Sequence, residues 1–209
     1  TISLYAPLQM QAAVAWLPLA IALSLHEPKG VRLASEGHRE NLRTVLRALF
    51  ASGRFTMWLT LTNVVYAMLT IVAVFSFQAQ WTVRGVALGH FGWLWAAQNL
   101  VVALAARAAH RVEDRLGFGF VIAAVAALPV VGFFGMGWLP GVFAIAVGVC
   151  FPLCRALNQV VLRDALNARM PTELRATANS LLALGMRALF ALAGPLFGRA
   201  LDVSGARAF

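Results

Sequence analysis

Charge is what this sequence lacks most. Only 12% of its residues are charged, against about a quarter in a soluble domain, and so few charges would not cover a water-soluble globule. Acids are the scarcer sign. The eight Asp and Glu residues are Glu27, Glu36, Glu40, Glu113, Asp114, Asp164, Glu173 and Asp202, and each falls in a polar stretch or at the end of an apolar one. A proton-coupling carboxylate at membrane depth is therefore not expected in this chain. Cysteine is limited to Cys150 and Cys154, four apart in an apolar run. They share a helix face, where a disulfide is awkward and no further metal ligands stand nearby, so they read as small packing residues. The histidines His26, His38, His90 and His110 are scattered, and no H-E-x-x-H or G-x-S-x-G run occurs. No metal site, cofactor or catalytic residue is expected, and an enzyme is the least favoured class.

What is present is apolar: 61% of the 209 residues are hydrophobic. Crossing about 30 Å of hydrocarbon takes about 20 apolar residues at 1.5 Å each, and six stretches meet that length. The chain opens at Thr1 straight into apolar sequence with no basic leader, which is read as a truncation rather than a signal peptide. The first span runs from about Ile2 to Leu25, and Pro7 and Pro18 bend it. Residues 26–54 form a polar linker in which Leu42, Val45, Leu46, Leu49 and Phe50 recur at helical spacing while Arg39, Arg43 and Arg47 line another face. That pattern suits an interfacial amphipathic helix, with a solvated linker helix as the alternative. Residues 55–209 carry five further spans: Phe55 to Phe77, Gly85 to Ala109, Phe118 to Phe134, Trp138 to Leu162 and Arg175 to Ala200. The connections are a turn at Gln78–Arg84 with Trp81 at the interface, a charged loop at His110–Gly117, a break at Gly135-Met136-Gly137 and a loop at Arg163–Leu174. The expected fold is all-α, a polytopic transmembrane bundle of about six spans plus one interfacial helix.

The net charge of +9 would suggest nucleic acid in a soluble protein, but here the cations lie between spans and speak of topology. Connections on one side hold Lys29, Arg32, Arg39, Arg43, Arg47, Arg54, Arg107, Arg111, Arg115, Arg163, Arg169 and Arg175. The other side holds Arg84, Arg199 and Arg207. The basic side is expected to be cytoplasmic, in a plasma membrane such as a bacterial inner membrane, and nucleic acid is not an expected partner.

Two cations remain inside spans, and a buried charge there costs at least about 2.5 kcal/mol on insertion scales. Arg187 faces either a central aqueous cavity or a neighbouring helix that it anchors. Arg155 stands with Asn158 and Gln159 on the fifth span, either toward a pathway or toward Asp114. Asn63 and Tyr66 share a face of the second span, and His90, Gln98 and Asn99 lie in the third; each makes either substrate contact or interhelical hydrogen bonds. His90 lies near the outer side. Phe91, Trp93 and Trp95 read as packing or lipid-facing residues.

Two connections carry a family resemblance. Asp114-Arg115-Leu116-Gly117 is similar to the D-R-x-G end of the signature loop between the eighth and ninth helices of the major facilitator superfamily, with His110 where a glycine would precede it. Pro171-Thr172-Glu173-Leu174-Arg175-Ala176-Thr177-Ala178-Asn179-Ser180 resembles the P-x-x-x-R-A-T-x-x-S run before that family's eleventh helix. Gly194-Pro195, Gly198 and Asp202 resemble the outer end of that helix. Arg155-Ala156-Leu157-Asn158 resembles the R-x-x-Q signature of the equivalent helix in the other half. The resemblance implies a truncated major-facilitator fold spanning helices six to eleven, with the N-terminal half of the same chain and the twelfth helix missing. It further implies a cytoplasmic gate at Asp114, Arg115, Gly117, Arg163 and Arg175. The function expected is alternating-access transport of a small solute, secondary active and proton-coupled, exporting an organic or drug-like compound. Uptake of a small organic anion or neutral metabolite is the alternative, and a non-transporting membrane scaffold is the third reading. The bilayer and a small-molecule substrate are the expected partners.

Overall fold

The computed structural model describes residues 6–25 and 38–204, with side chains described over 9–25 and 40–199. The expected start of the first span at Ile2, Lys29 and Arg32 in the linker, and Arg207 in the tail lie outside the described residues, as do the side chains of Pro7, Arg39 and Asp202. The chain divides into two units, Thr1–Ser35 and Glu36–Phe209. The first contains helix α1, Ala6–Ser24, with Pro18 inside it. Its side chains from Gln9 onward are exposed, and Trp16, Ile21 and Leu23 are among its large apolar ones.

The second unit is helical throughout its described residues apart from short connections. It begins with α2, His38–Phe50, whose two apolar ridges part company. Val45 and Leu49 are buried in a core with Leu59, Leu166, Met170 and Leu174, whereas Leu42, Leu46 and Phe50 are exposed beside Arg43 and Arg47. One ridge therefore anchors the helix to the core and the other is left outward.

Helix α3, Arg54–Val83, runs past the turn expected at Gln78–Arg84. Polar side chains inside it do not stop it because they bond back to its own carbonyls. The Thr60 hydroxyl donates to Thr56 O at 2.9 Å and that of Ser76 to Val72 O at 2.9 Å, so these hydroxyls are satisfied without leaving the helix. Trp81, expected at a membrane interface, lies near the end of α3 and is buried within the chain, stacked on Phe77 and set edge-on to Phe91 and Trp95. The turn falls at Arg84–Ala87, where Gly85 adopts φ +73°, a left-handed value that glycine takes without strain.

Helix α4, Phe91–Leu116, also outruns its expected end. The stretch predicted as a charged loop at His110–Gly117 is helix up to Leu116. Its charges sit at helical spacing facing out, and the exposed pair His110–Glu113 at 3.3 Å is compatible with a helix surface. Gly117, φ +84°, is the single residue between α4 and α5, Phe118–Trp138. The break expected at Gly135-Met136-Gly137 is absent. The helix continues through them, and Gly135 is a contact point: a Cβ there would come within 2.8 Å of Val147.

The next crossing is segmented but continuous in direction. It comprises α6, Gly141–Val147, α7, Cys150–Leu157, a π-helical turn at Asn158–Leu162, and α8, Arg163–Asn167. The expected loop at Arg163–Leu174 shrinks to 168–171, because Asp164 to Asn167 still pack as helix and bury Leu166. Helix α9, Thr172–Ser204, follows with Pro195 inside it.

Four of these helices are long and apolar enough to cross a bilayer: Arg54–Val83, Phe118–Trp138, Gly141–Asn167 and Thr172–Arg199. Their outward faces carry Phe75, Val130, Phe134, Leu184, Leu192 and Leu196 exposed, a surface that water does not tolerate over such an area and lipid does. This is the pattern of a membrane protein. Helix α4 has the length, 26 residues, but Trp93, Trp95, Gln98, Asn99 and Arg107 dilute its apolar character.

The helices alternate in direction. α3 packs on α9 and α7, α4 on α7 and α5, and α5 on α6 and α7. One end of the unit therefore gathers the start of α3, the α4–α5 connection and the α8–α9 connection. There Arg169 lies over the Phe55 ring at 4.6 Å and Phe55 meets Phe118. The described cations expected together, Arg54, Arg107, Arg111, Arg115, Arg163, Arg169 and Arg175, all belong to segments at or near this end. At the opposite end Arg84 donates to Met136 O at 2.6 Å, tying α3 to α5.

Candidate functional site

Helices α3, α7, α8 and α9, together with the π turn, border an open cavity of about 390 Å³ lined by Ala67, Thr70, Ile71, Val74, Phe75, Arg155, Asn158, Gln159, Arg163 and Met186. A smaller recess adjoins it across Thr70, Val74 and Arg155, and is walled by Trp95, Gln98, Asn99 and Phe151. Arg155 lies near the middle of the Gly141–Asn167 crossing, roughly 20 Å from either end at 1.5 Å per residue. Thr70 and Met186 are similarly central in their own helices. The cavity thus runs from mid-depth, at Arg155, toward the basic end, at Arg163, and its size is that of a small-molecule site.

The floor is set by two asparagines. Asn158 Nδ2 donates to Asn63 O at 3.1 Å, and Asn63 Nδ2 donates to Asn158 O at 3.5 Å. Both side chains are almost completely buried. A π turn leaves backbone carbonyls poorly served by the helix itself, and the Asn63 amide supplies a donor to the first of them. Two further close contacts hold this crossing in place. The Cys154 thiol donates to Val125 O at 3.5 Å, and Gly132 lets the Phe151 ring approach so near that a Cβ there would stand 2.7 Å from it. Cys150 and Cys154 are free and buried.

The π turn also sets which side chains face the cavity. An α-helix rotates about 100° per residue, so positions eight apart diverge by about 80°; one inserted residue takes up about 100° and reduces the divergence to about 20°. Arg155 and Arg163 are such a pair, and both line the cavity with Gln159 between them. Arg155 is exposed to the opening. Arg163 is partly buried, and its Nε is buried without a hydrogen-bond partner. Neither forms an ion pair among the described residues, where the one ion pair is His110–Glu113.

Of the expected pathway residues, the cavity and its recess bring together Arg155, Asn158, Gln159, Gln98 and Asn99. Asn63 lies beneath, as the clamp on Asn158. Tyr66 is half-buried and packs against the main core. His90 ends a single 3-10 turn, Leu88–His90, at the end away from the basic one and is exposed. Arg187 is exposed on α9 and is absent from the cavity wall. Thr70, Ile71, Val74, Phe75 and Met186 were not foreseen. Thr70 carried a signal, since it is a polar residue four positions from Tyr66 and seven from Asn63, on the same face of α3. The apolar lining carried none.

The expected gate residues separate into two groups. Asp114 and Arg115 are exposed in the last turn of α4, beside Gly117. Arg175 stitches the neighbouring turn, its Nε donating to Met170 O at 3.2 Å, while Asn179 Nδ2 donates to Asn167 Oδ1 at 3.1 Å across the same turn. Arg163 belongs to the cavity. The alternative pairing of Arg155 with Asp114 is not made.

Comparison with protein-family models, with curated proteins and with solved structures yields no match.

Proposed function

We propose that this chain is one wall of a membrane transporter that moves a small solute by alternating access, and that it corresponds to helices six to eleven of a major-facilitator fold. The observation that carries the reading is the cavity of about 390 Å³ that reaches mid-depth, with Arg155 on α7, Asn158 and Gln159 on the π turn, and the opening at Arg155 unlined by any acid among the described residues. A polar, unpaired cation at that depth is costly in a purely structural bundle and is expected where a pathway or substrate meets it. The basic end is cytoplasmic in this reading, in a plasma membrane. Transport is secondary active. Because no carboxylate stands at mid-depth among the described residues, a coupling proton is carried by the remainder of the protein. The direction of export follows the family likeness of the α8–α9 connection.

The test is flux. Full-length protein reconstituted in vesicles with an imposed pH gradient is expected to move solutes faster than protein-free vesicles, and Arg155→Gln is expected to reduce that flux at least about tenfold. Equal flux in the two vesicle populations across a broad solute panel would leave the scaffold reading in its place.

A further inference from the structure

We infer that the cavity is an anion site, built to hold the carboxylate of a small organic acid between Arg155 and Arg163 with the acid's apolar body against Ile71, Val74, Phe75 and Met186. The inference rests on the transport reading for its context but makes its own claim about substrate class.

Three observations converge on it. First, two guanidinium groups share one cavity wall and no carboxylate among the described residues pairs with either. Like charges in a region of low dielectric repel, and an anion between them removes that repulsion while gaining charge-assisted hydrogen bonds. Second, the pair is aligned by a device with a structural cost. Without the π turn, Arg155 and Arg163 would point about 80° apart; with it they flank Gln159, whose amide adds a donor. The Asn63–Asn158 clamp holds that turn open. Third, the rest of the wall is apolar and complements the body of an organic acid rather than a bare inorganic ion. Thr70 does not compete for the anion, because its hydroxyl donates to Ala67 O at 2.8 Å.

A carboxylate could reach the two arginines from a solute or from a segment of the protein outside this chain, and the experiment separates these sources. The probe is mandelate, an aromatic hydroxy acid of suitable size, set against 1-phenyl-1,2-ethanediol, which replaces the carboxylate with a neutral alcohol. Binding is measured by isothermal titration on detergent-purified full-length protein, with melting temperature recorded alongside. Saturable binding of mandelate, at least about tenfold weaker binding of the diol, and a further loss of about tenfold in Arg155→Gln and in Arg163→Gln are expected. Arg111→Gln, on the exposed face of α4, keeps wild-type affinity. Arg155→Lys retains the charge and binds within about tenfold of wild type, which guards against a Gln variant that fails to fold. Equal affinity for acid and diol, indifference to both substitutions, or the absence of mandelate binding overturns the proposal. So does a large fall in melting temperature for Arg155→Gln without ligand combined with no stabilisation by mandelate, the outcome of a carboxylate supplied by the protein. Charge-dependent binding without flux would sink the transport reading and leave this one standing; flux indifferent to solute charge would do the reverse.

Discussion

Asn63 and Asn158 each donate a side-chain N–H to the other's backbone carbonyl, at 3.5 and 3.1 Å, joining α3 to the π turn at a point where both residues are almost completely buried. Because the exchange is reciprocal, removing either side chain leaves one buried carbonyl without that donor. Asn63→Ala and Asn158→Ala are each expected to destabilise the bundle by about 1–2 kcal/mol, with a coupling of about 0.5–1.5 kcal/mol in the double-mutant cycle. Denaturant titration in mixed micelles measures it, and strictly additive losses would show that the two amides act separately.

The contact between Gly132 and Phe151 sets a steric limit. A methyl group at position 132 would sit 2.7 Å from the Phe151 ring, which is itself pinned by edge contacts with Phe77 and Phe133. Gly132→Ala is therefore expected to cost about 1–3 kcal/mol. Phe151→Leu in the same chain should recover part of the loss. A Gly132→Ala protein as heat-resistant as wild type would mean that the ring swings aside freely.

Arg84 ties the C-terminal ends of α3 and α5 through its bond to Met136 O at 2.6 Å. Burial draws its pKa below the usual guanidinium value, yet an arginine remains charged throughout the working pH range. Arg84→Met keeps much of the stem's packing and removes the donor. It is expected to lower stability by about 1–2 kcal/mol, equally at pH 6 and pH 8. A loss seen at only one of those pH values would point to a different, titrating partner.

Topology is open to a labelling test, because Cys150 and Cys154 are buried and should remain silent toward a membrane-impermeant maleimide. Ser52→Cys, beside α2 at the basic end, is expected to be shielded in intact cells and labelled after permeabilisation. Leu88→Cys, 79% exposed at the opposite end, should react from outside. The reversed pattern would invert the proposed orientation.

The helical class and the segregation of cations could be read from the residues, because apolar length and the placement of arginines between apolar runs are local properties. Helix ends could not. Gln78, Gln80 and the charged stretch at His110–Leu116 look like loop in isolation, yet α3 and α4 continue through them, since a polar residue ends a helix only when another group claims its backbone. Trp81 illustrates the same limit. Its suitability for an interface is a property of the side chain, and its burial depends on Phe77, Phe91 and Trp95 arriving from two helices. At the site, Arg155, Asn158 and Gln159 stood out as polar residues in an apolar run. Arg163 did not join them, because the π turn that rotates it into line has no signature in the run Asn158–Leu162.

Gly117 is the sole link between α4 and α5, and its left-handed backbone leaves the two helices no slack at that end. They form a tight hairpin whose two arms pack against each other. A side chain at 117 would meet open space but a backbone angle that only glycine adopts without strain, so the geometry of the whole hairpin hangs on the residue that has no side chain.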